Sequence, residues 1–396
     1  MNLLSFKNSH LSKIKWAIFV AVSLFLISIN FMSGPYSSPD TVSYSRLADS
    51  LIGHKFNFFA FFKSESLSVP IYFYSVPITV FAVAKVITVE YWKLIILILN
   101  TACIPAIIFL TSRLVHLIGQ NKYLTAFFPL IFLLSYDYIL WARYILSDTM
   151  YCLSLVWCVY CVISFRDDKG WKNNLIFIIS IVFLLFSRPS SPPSILVLSF
   201  FYFLPSYISM SRPIIWCLIL SMPLILIVWA ALLFFYFSSN LQIIEMNMIT
   251  SMIKEGVIVH DRPETYIEYQ DSYISILKIL LTRFLYFFAP YSSAWSMAHI
   301  AISTLFFSII SISVLISEIF VDNSRVKNHF ALTAKTILMF TILSMAVYHS
   351  ITFIDYDWRF RYPAIALMLL LAAIEVSLFL EQNTFSFRRK VRHYQV

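Results

Sequence analysis

Charge and glycine are both scarce in this chain. Only 12% of its 396 residues are charged, and only five are glycine. Soluble globular domains carry about twice this share of charged residues. Every glycine lies at the end of an apolar segment or between two segments, so no segment contains a Gly-xxx-Gly motif or a glycine-broken helix. This pattern weighs modestly against a transporter that rocks around unwound helices.

Cysteine gives no sign of redox or metal chemistry. All five cysteines lie inside apolar segments, at Cys103, Cys152, Cys158, Cys161 and Cys217. The predicted loops therefore contain no cysteine, which argues against a disulfide framework. Cys158 and Cys161 have the spacing of a redox pair, but in a lipid-embedded helix we expect them to pack in the core. No cluster of histidine or cysteine has metal-ligand spacing, so we expect no tightly bound metal.

Apolar residues dominate what is present. They make up 60% of the chain and form runs near residues 14–33, 69–88, 91–112, 123–140, 148–165, 174–187, 191–205, 213–237, 276–290, 297–319, 333–351 and 363–381. Many of these runs are long enough to cross a bilayer as helices. The sequence therefore predicts an all-α, polytopic membrane protein.

The positions of lysine and arginine predict how often the chain crosses. If every run crossed, two consecutive basic loops, Arg113–Lys122 and Arg166–Lys172, would face outward, against the positive-inside rule. If instead the runs 69–88 and 276–290 lie at the outer surface as interfacial helices, about ten transmembrane helices remain, within a range of 10–12. Both termini are then cytoplasmic, and Lys335 falls in an inside loop. We favour this topology.

The loops of this topology are short. Two larger segments, 34–90 and 238–296, share the outer face, and neither is long enough to bury an independent core. We therefore expect residues 1–396 to form a single transmembrane domain without a separate soluble domain. The first apolar run has no clear cleavage site, so we interpret it as a retained anchor.

The segment Ser38–Gly53 follows the first run and predicts a short amphipathic helix on the outer face. Ser38 suits an N-cap, Pro39 suits the first helical position, and Gly53 suits the end. Asp40, in the first turn, benefits from the helix dipole and shares a face with Tyr44. An ionised, partly desolvated carboxylate is suited to act as a general base for a sugar hydroxyl. The alternative is that Asp40 only helps to cap the helix.

Further polar groups fall on the same predicted face. Arg143 and Asp148 flank a turn, where Asp148 is either a functional acid or only a first-turn acid after Ser147. Two arginines, Arg359 and Arg361, lie on a short turn before the last run and are candidates for binding a phosphate. An interfacial anchor is the alternative for that turn.

Together these features resemble the GT-C superfamily of membrane glycosyltransferases, which includes protein mannosyltransferases and lipid A aminoarabinose transferases. The resemblance rests on the order of Asp40, Tyr44, Ala48 and Gly53, then Arg143 and Asp148, then Arg188-Pro189, then Arg359-Phe360-Arg361-Tyr362-Pro363. Many members carry a soluble outer domain after their helices. No such domain is expected here, so acceptor recognition is expected from the 238–296 loop.

The resemblance implies transfer of a sugar from a polyprenyl-phosphate donor to a hydroxyl of a glycan or lipid-linked acceptor, with inversion. Asp40 would be the general base, and Asp148 would orient substrate or hold a divalent metal together with Asp40. Both residues are therefore the catalytic candidates.

The same resemblance implies the residues that bind substrate. Arg359 and Arg361 would bind the donor phosphate, with Arg143 and Arg262 as lesser candidates. The remaining substrate-binding candidates are Tyr44, Arg46, His54, Arg188, His260, His349 and Asp357.

Two other functions remain open from the sequence. A polymerase or ligase of surface polysaccharide would depend on Arg262 and Arg283 more than on Asp40. A flippase or carrier of lipid-linked sugars would place charges at mid-membrane, whereas the ionisable residues here mostly crowd the predicted outer ends.

The expected location is a bacterial inner membrane, with the active site facing the periplasm or outside. The expected partners are a polyprenyl-phosphate-linked sugar, a glycan or lipid acceptor, and the lipid bilayer. The net charge of +9 does not indicate nucleic-acid binding, since much of it comes from inside loops that face anionic lipid.

Overall fold

The structure is a computed structural model that describes most of the chain. It describes residues 3–65, 71–119, 121–166, 168–204, 273–292, 295–320, 329–351 and 358–393. The predicted run 213–237 and most of the predicted outer loop 238–296 lie outside these residues.

The described residues are almost entirely helical, which confirms the predicted all-α class. The helices are α1 (Leu3–Met32), α2 (Pro39–Gly53), α3 (Phe58–Ser64), α4 (Ser75–Ile87), α5 (Trp92–Ile118), α6 (Lys122–Phe127), α7 (Tyr136–Leu140), α8 (Asp148–Ser164), α9 (Trp171–Leu185), α10 (Ser191–Phe203), α11 (Tyr273–Phe287), α12 (Met297–Phe320), α13 (His329–Ile351) and α14 (Tyr362–His393). Short 3-10 turns occupy Ile71–Tyr74, Phe128–Leu134, Trp141–Arg143 and Trp358–Arg361.

Five of the described helical segments are long and apolar enough to cross a membrane. They are Leu11–Met32, Trp92–Ile118, Met297–Ile316, Phe330–Ser350 and Arg359–Gln382. A spanning helix needs about 20 apolar residues. The chain is therefore a helical integral membrane protein, while the predicted number of ten crossings exceeds what these helices establish.

The predicted crossing 123–140 is not a straight helix. Residues Lys122–Leu134 and Tyr136–Arg143 form two helical segments that meet at 74°. The chain leaves helical geometry at Ser135, whose φ is −101° and ψ is 111°. Counted as one broken span, this pair brings the described spans to six.

Several other predicted crossings form helices that are short for a full span. Helices α8, α9 and α10 have 17, 15 and 13 residues, so each is shorter than the bilayer core requires. Helices α4 and α11, from the two runs expected at the outer surface, have 13 and 15 residues. Their length agrees with an interfacial position, which itself stays a prediction.

The last helix, α14, occupies the centre of the bundle. Every residue of its stretch 364–374 is buried, and it packs against α5, α8, α12 and α13. A helix that is apolar on all sides can face either lipid or protein, and the burial of this stretch shows that protein neighbours surround it. The start of α14 is therefore held in place from several directions.

Asn30 joins the end of α1 to the turn that precedes α8. Its fully buried side chain donates from Nδ2 to the carbonyl of Ile139 at 2.9 Å and to that of Leu26 at 2.8 Å. The backbone N–H of Arg143 donates to Asn30 Oδ1 at 3.0 Å. Just beyond α1, the Tyr36 backbone pairs with the same turn, since Tyr36 N donates to the Arg143 carbonyl at 2.9 Å.

We predict that Asn30→Ala destabilises the protein markedly. The substitution leaves the part-buried Ile139 carbonyl and Arg143 N–H without these partners, at a cost of up to about 1–3 kcal/mol for each group. Thermal unfolding of the purified protein in detergent measures the effect. The control is Asn173→Ala, because Asn173 makes one exposed hydrogen bond to the Asp168 carbonyl and its loss should lower stability little. Equal melting temperatures for the two variants would contradict this account of Asn30.

Candidate functional site

One end of the bundle gathers polar side chains from distant parts of the sequence. The segments that meet there are the start of α2, the 144–148 turn, the 186–190 turn, the end of α13 and the 3-10 turn Trp358–Arg361. We call this region the site end. The sequence predicted that these segments share one face of the membrane, and the contacts between them bring them together.

Helix α2 begins as predicted and is anchored to the 144–148 turn. The backbone N–H of Ser38 donates to Thr41 Oγ1 at 2.9 Å, and Thr41 Oγ1 donates to the Ile145 carbonyl at 2.9 Å. The face that carries Thr41, Tyr44, Leu47 and Leu51 is buried. Because that face is fixed in the bundle, Asp40 in the first turn is held at the edge of the site end.

Asp40 forms an ion pair with Arg359. The distance from Asp40 Oδ2 to Arg359 Nη2 is 2.8 Å, and the two side chains are 44% and 19% exposed. The pair joins the first turn of α2 to the segment just before α14. In a partly exposed pair, an incoming anion can replace the carboxylate as the partner of the guanidinium. Solvent offsets part of the cost of separating the two side chains.

Asp148 forms a second ion pair, with Arg188, and this one is buried. The side chains are 2% and 8% exposed, and Arg188 donates from Nη1 to Asp148 Oδ1. Burial alone would lower the pKa of Arg188, but the Asp148 carboxylate outweighs it, so the pKa lies above its ordinary value. Both charges are thereby kept in a region of low dielectric constant, where an unpaired charge would be costly.

Phe360 lies between the two pairs. The Arg188 guanidinium is 5.1 Å from the centre of its ring, and that of Arg359 is 5.7 Å from it. The buried His349 stacks on Phe360 with the ring centres 4.7 Å apart and the planes at 5°. Two cations near one aromatic ring are attracted by its electron-rich face. His349, predicted to bind substrate, therefore supports this ring from the protein interior.

Tyrosine hydroxyl groups hydrogen-bond the chain neighbours of Asp148 and Arg188. Tyr44 hydrogen-bonds Ser147 with an oxygen–oxygen distance of 3.0 Å, and its ring centre is 5.5 Å from that of Tyr74. Tyr348 donates to the Pro189 carbonyl at 3.3 Å. Burial raises the pKa of Tyr44 well above its ordinary value, so its hydroxyl stays neutral and can donate or accept a hydrogen bond.

Arg361 has different neighbours from Arg359. It is 2% exposed, donates from Nη1 to the Ala289 carbonyl, and lies 5.0 Å from the ring centres of both Trp295 and Phe307. Its Nη2 is 4.0 Å from Asp137 Oδ2. The prediction that Arg359 and Arg361 hold one phosphate together therefore loses its geometric basis, because their guanidinium groups face different surroundings.

Two predicted residues, one in α2 and one directly after it, have local partners instead of a place beside Asp40. Arg46 forms an ion pair with Glu65 at 3.8 Å. His54 contacts the Ser50 carbonyl through Nδ1 at 2.8 Å, at the end of the helix. At a rise of ~1.5 Å per residue, His54 lies about 21 Å along α2 from Asp40. Substrate contact by these two residues stays a prediction without support from their contacts.

Arg143 does lie at the site end. Its guanidinium is 5.5 Å from the Tyr36 ring centre and 5.7 Å from that of Tyr144, and Nη1 donates to the Ser33 carbonyl at 3.4 Å. These contacts hold it over the junction of α1 and the 144–148 turn. Three other predicted residues, His260, Arg262 and Asp357, lie outside the described residues.

Neither acid proposed as a possible metal ligand belongs to a cluster of ligands in the described part of the chain. No group of three or more histidine, cysteine, aspartate or glutamate residues occurs there. Asp40 and Asp148 each accept an arginine instead. Divalent metal at these acids remains an untested prediction.

Three residues of the site end were not predicted from the sequence as site residues. Tyr74, Tyr348 and Phe360 are brought there by the packing of helices far apart in the chain. Phe360 offered one signal, since it lies between the two arginines of the predicted turn. Tyr74 and Tyr348 offered none, because tyrosine is common at membrane interfaces.

The fold and the site end define a helical integral membrane protein with a polar, arginine-containing cluster at one end of its bundle. Comparison with models of protein families, with curated proteins and with solved structures finds no match. The function must therefore be argued from the residues of the site end.

We predict that Arg188→Met and Asp148→Leu each destabilise the protein by about 3–5 kcal/mol, because each leaves one buried charge without its partner. The double variant should be more stable than either single variant, since it removes both charges. Thermal unfolding in detergent measures all three. A double variant less stable than both single variants would contradict the pairing of these two side chains.

Proposed function

We propose that this protein is a membrane glycosyltransferase that moves a sugar from a polyprenyl-phosphate donor to a hydroxyl group of a glycan or lipid-linked acceptor. The observation that carries the proposal is the ion pair of Asp40 and Arg359 at the edge of the site end. It combines a partly exposed base with a cation suited to a phosphate. The resemblance to the GT-C superfamily in the order of these residues supports the same reaction.

Asp40 is better suited than the other acids of this region to act as the general base. Its side chain is 44% exposed, whereas those of Asp148 and Asp137 are 2% and 4% exposed and face buried arginines. A base must reach the proton that it removes. In the proposed reaction, the acceptor hydroxyl loses its proton to Asp40 as its oxygen attacks the anomeric carbon.

The leaving group is the phosphate of the polyprenyl carrier. As the new bond forms, the bond between the anomeric carbon and the phosphate oxygen breaks, and that oxygen keeps the electron pair. Arg359 would stabilise the resulting charge, since a guanidinium can donate two parallel hydrogen bonds to phosphate. The sugar inverts because attack and departure occur on opposite faces.

The ion pair itself suggests an order of events. Arg359 is bound to Asp40 in the structure, so one oxygen of the proposed base is occupied. A donor phosphate that draws Arg359 away would free this oxygen for the acceptor. Binding of the donor would then prepare the base, and the acceptor would bind second.

The buried pair of Asp148 and Arg188 would have a supporting role. Arg188 contacts the Phe360 ring, and Phe360 is the neighbour of Arg359 in the chain. Through this contact the pair positions the turn that carries Arg359. We therefore assign Asp148 to positioning, in preference to metal binding.

Of the two alternatives, a carrier has one observation in its favour. Lys335 on α13 contacts Glu375 on α14 at 2.8 Å and Glu318 on α12 at 2.5 Å, away from the site end. Glu375 is fully buried. Charges deep in a bundle can serve transport. Here the cation has two carboxylate partners, which suits a link between three helices equally well, so we favour the transferase.

We predict that Asp40→Asn abolishes the function of the protein in its host. Loss of a general base typically lowers the rate by about 10²–10⁴-fold. The host gene is deleted and complemented with the variant, and surface glycans are analysed by gel ladder and mass spectrometry. The matched control is Asp49→Asn, which removes an acid of the same helix that pairs with Lys85.

The proposal requires loss of a single sugar in the deletion strain, rescue by the wild type and Asp49→Asn, and no rescue by Asp40→Asn at equal protein levels. Full rescue by Asp40→Asn would remove Asp40 from the mechanism. Collapse of the ladder to one repeat unit would instead identify a polymerase.

We predict that Arg359→Gln raises the KM for the lipid-linked donor by about 10- to 100-fold, the equivalent of one lost charged hydrogen bond to phosphate. Arg359→Lys should recover part of this loss, because it keeps the charge without the planar fork. Initial rates at varied donor concentration measure the effect. An unchanged donor KM in Arg359→Gln would contradict phosphate binding by this residue.

A further inference from the structure

A second cluster of charged residues lies on the opposite end of α1 and α5. Lys15 of α1 precedes Trp16, whose ring stacks on Phe109 of α5 with the ring centres 6.4 Å apart. Arg113 and His116 follow Phe109 on the same face of α5, so this contact places Lys15 beside the part of α5 that carries them. Lys15 is half-buried, and the other two side chains are exposed. We call these three residues the basic cluster.

The basic cluster lies far from the site end. On α1, Asn30 marks the site end, and Lys15 is about 22 Å from it at ~1.5 Å per residue. On α5, the side chain of Asn100 donates to the Tyr144 carbonyl at 2.9 Å, and Arg113 is about 20 Å further along. These distances approach the ~30 Å thickness of a bilayer core, so the cluster lies towards the opposite membrane surface.

No acid of either helix balances this positive charge. The first acidic residue of the chain is Asp40, and no acid occurs between Glu90 and Asp137. In the described part of the chain, the side chains of Lys15, Arg113 and His116 form no ion pair. Holding like charges together without a counter-ion is unfavourable, and a bound anion would remove this cost.

An aromatic surface adjoins the basic cluster on its bilayer side. Trp16 stacks on Phe109 with ring centres 6.4 Å apart, and Phe19 meets Phe109 edge to face at 6.4 Å. Trp16 and Phe109 are 51% and 40% exposed. Phe109, Arg113 and His116 follow one another on one face of α5 at helical spacing. An anionic group at the cluster would therefore have an apolar surface directly beneath it.

We propose that Lys15, Arg113 and His116 bind the phosphate of an anionic phospholipid, while Trp16 and Phe109 contact its acyl chains. A lipid fits this surface better than a soluble anion, because the cations and the exposed aromatic rings follow each other along the membrane normal. Trp at headgroup depth and basic residues facing anionic lipid are both common at membrane surfaces. This site is independent of the proposed transferase reaction.

The test is lipid binding by the purified full-length protein in detergent. Radiolabelled phosphatidylglycerol is the probe, and phosphatidylcholine, which has no net charge, is the reference lipid. Lys15→Gln/Arg113→Gln should weaken phosphatidylglycerol binding by about 30-fold, since each cation near anionic lipid contributes a factor of about five. Binding of phosphatidylcholine should change little.

The matched control is Lys169→Gln/Lys172→Gln. It also removes two positive charges, from the turn before α9 and from the first turn of α9, where both side chains are exposed. The proposal requires this control to bind phosphatidylglycerol like the wild type. Equal weakening in both double variants would overturn the proposal, because it would indicate attraction by overall charge alone.

Two further measurements separate the site from its alternatives. Lys15→Arg/Arg113→Lys keeps both charges and should retain phosphatidylglycerol binding. If only the Gln variant loses binding, the loss comes from the missing charges and not from substitution at these positions in general. Excess inorganic phosphate should fail to displace the lipid. Displacement by inorganic phosphate, or no preference of the wild type for phosphatidylglycerol over phosphatidylcholine, would overturn the proposal.

Discussion

The buried ion pair of Asp148 and Arg188 is the contact on which the site end depends. It fixes the start of α8 to the turn between α9 and α10, and the guanidinium of Arg188 supports Phe360 at 5.1 Å. Because each of these charges would be costly alone in the bundle interior, the two segments are held together. Phe360 then positions its neighbour Arg359, which reaches Asp40 across the edge of the site end.

The same constraint acts elsewhere in the bundle. Arg361 is held near Asp137, and Lys335 is held by Glu318 and Glu375. The predicted topology put Lys335 in an inside loop, but the structure places it within α13, where its side chain is 8% exposed. Buried charges in this protein therefore link helices that are distant in sequence. At the site end, the pair of Asp40 and Arg359 also joins distant segments, but it is partly exposed.

Local features of the fold followed from the sequence. Helix α2 begins beside Ser38 and ends at Gly53 because capping and glycine effects act within one turn of the chain. The pairing of Asp40 with Arg359 did not follow, since it depends on packing between segments at opposite ends of the chain. The bend at Ser135 was also missed, because the apolar pattern of 123–140 reads as one continuous run.

One prediction conflicts with a signal in the sequence. Arg359 and Arg361 were predicted to hold the same phosphate, yet residues two positions apart on a helical turn do not face each other. The structure follows this rule, with Arg359 at Asp40 and Arg361 between Trp295 and Phe307. Helical spacing therefore favours separate surroundings for the two arginines, and phosphate binding by either one stays a prediction.

The most direct test of the central claim is to identify which lipid-linked sugar the purified protein consumes. The protein, in lipid vesicles, is incubated with labelled polyprenyl-phosphate sugars and with polyprenyl-pyrophosphate oligosaccharides, using membranes of the deletion strain as the source of acceptor. The account predicts release of polyprenyl monophosphate by the wild type. Release of polyprenyl pyrophosphate from the pyrophosphate-linked donors alone, or no release of either carrier, would contradict it.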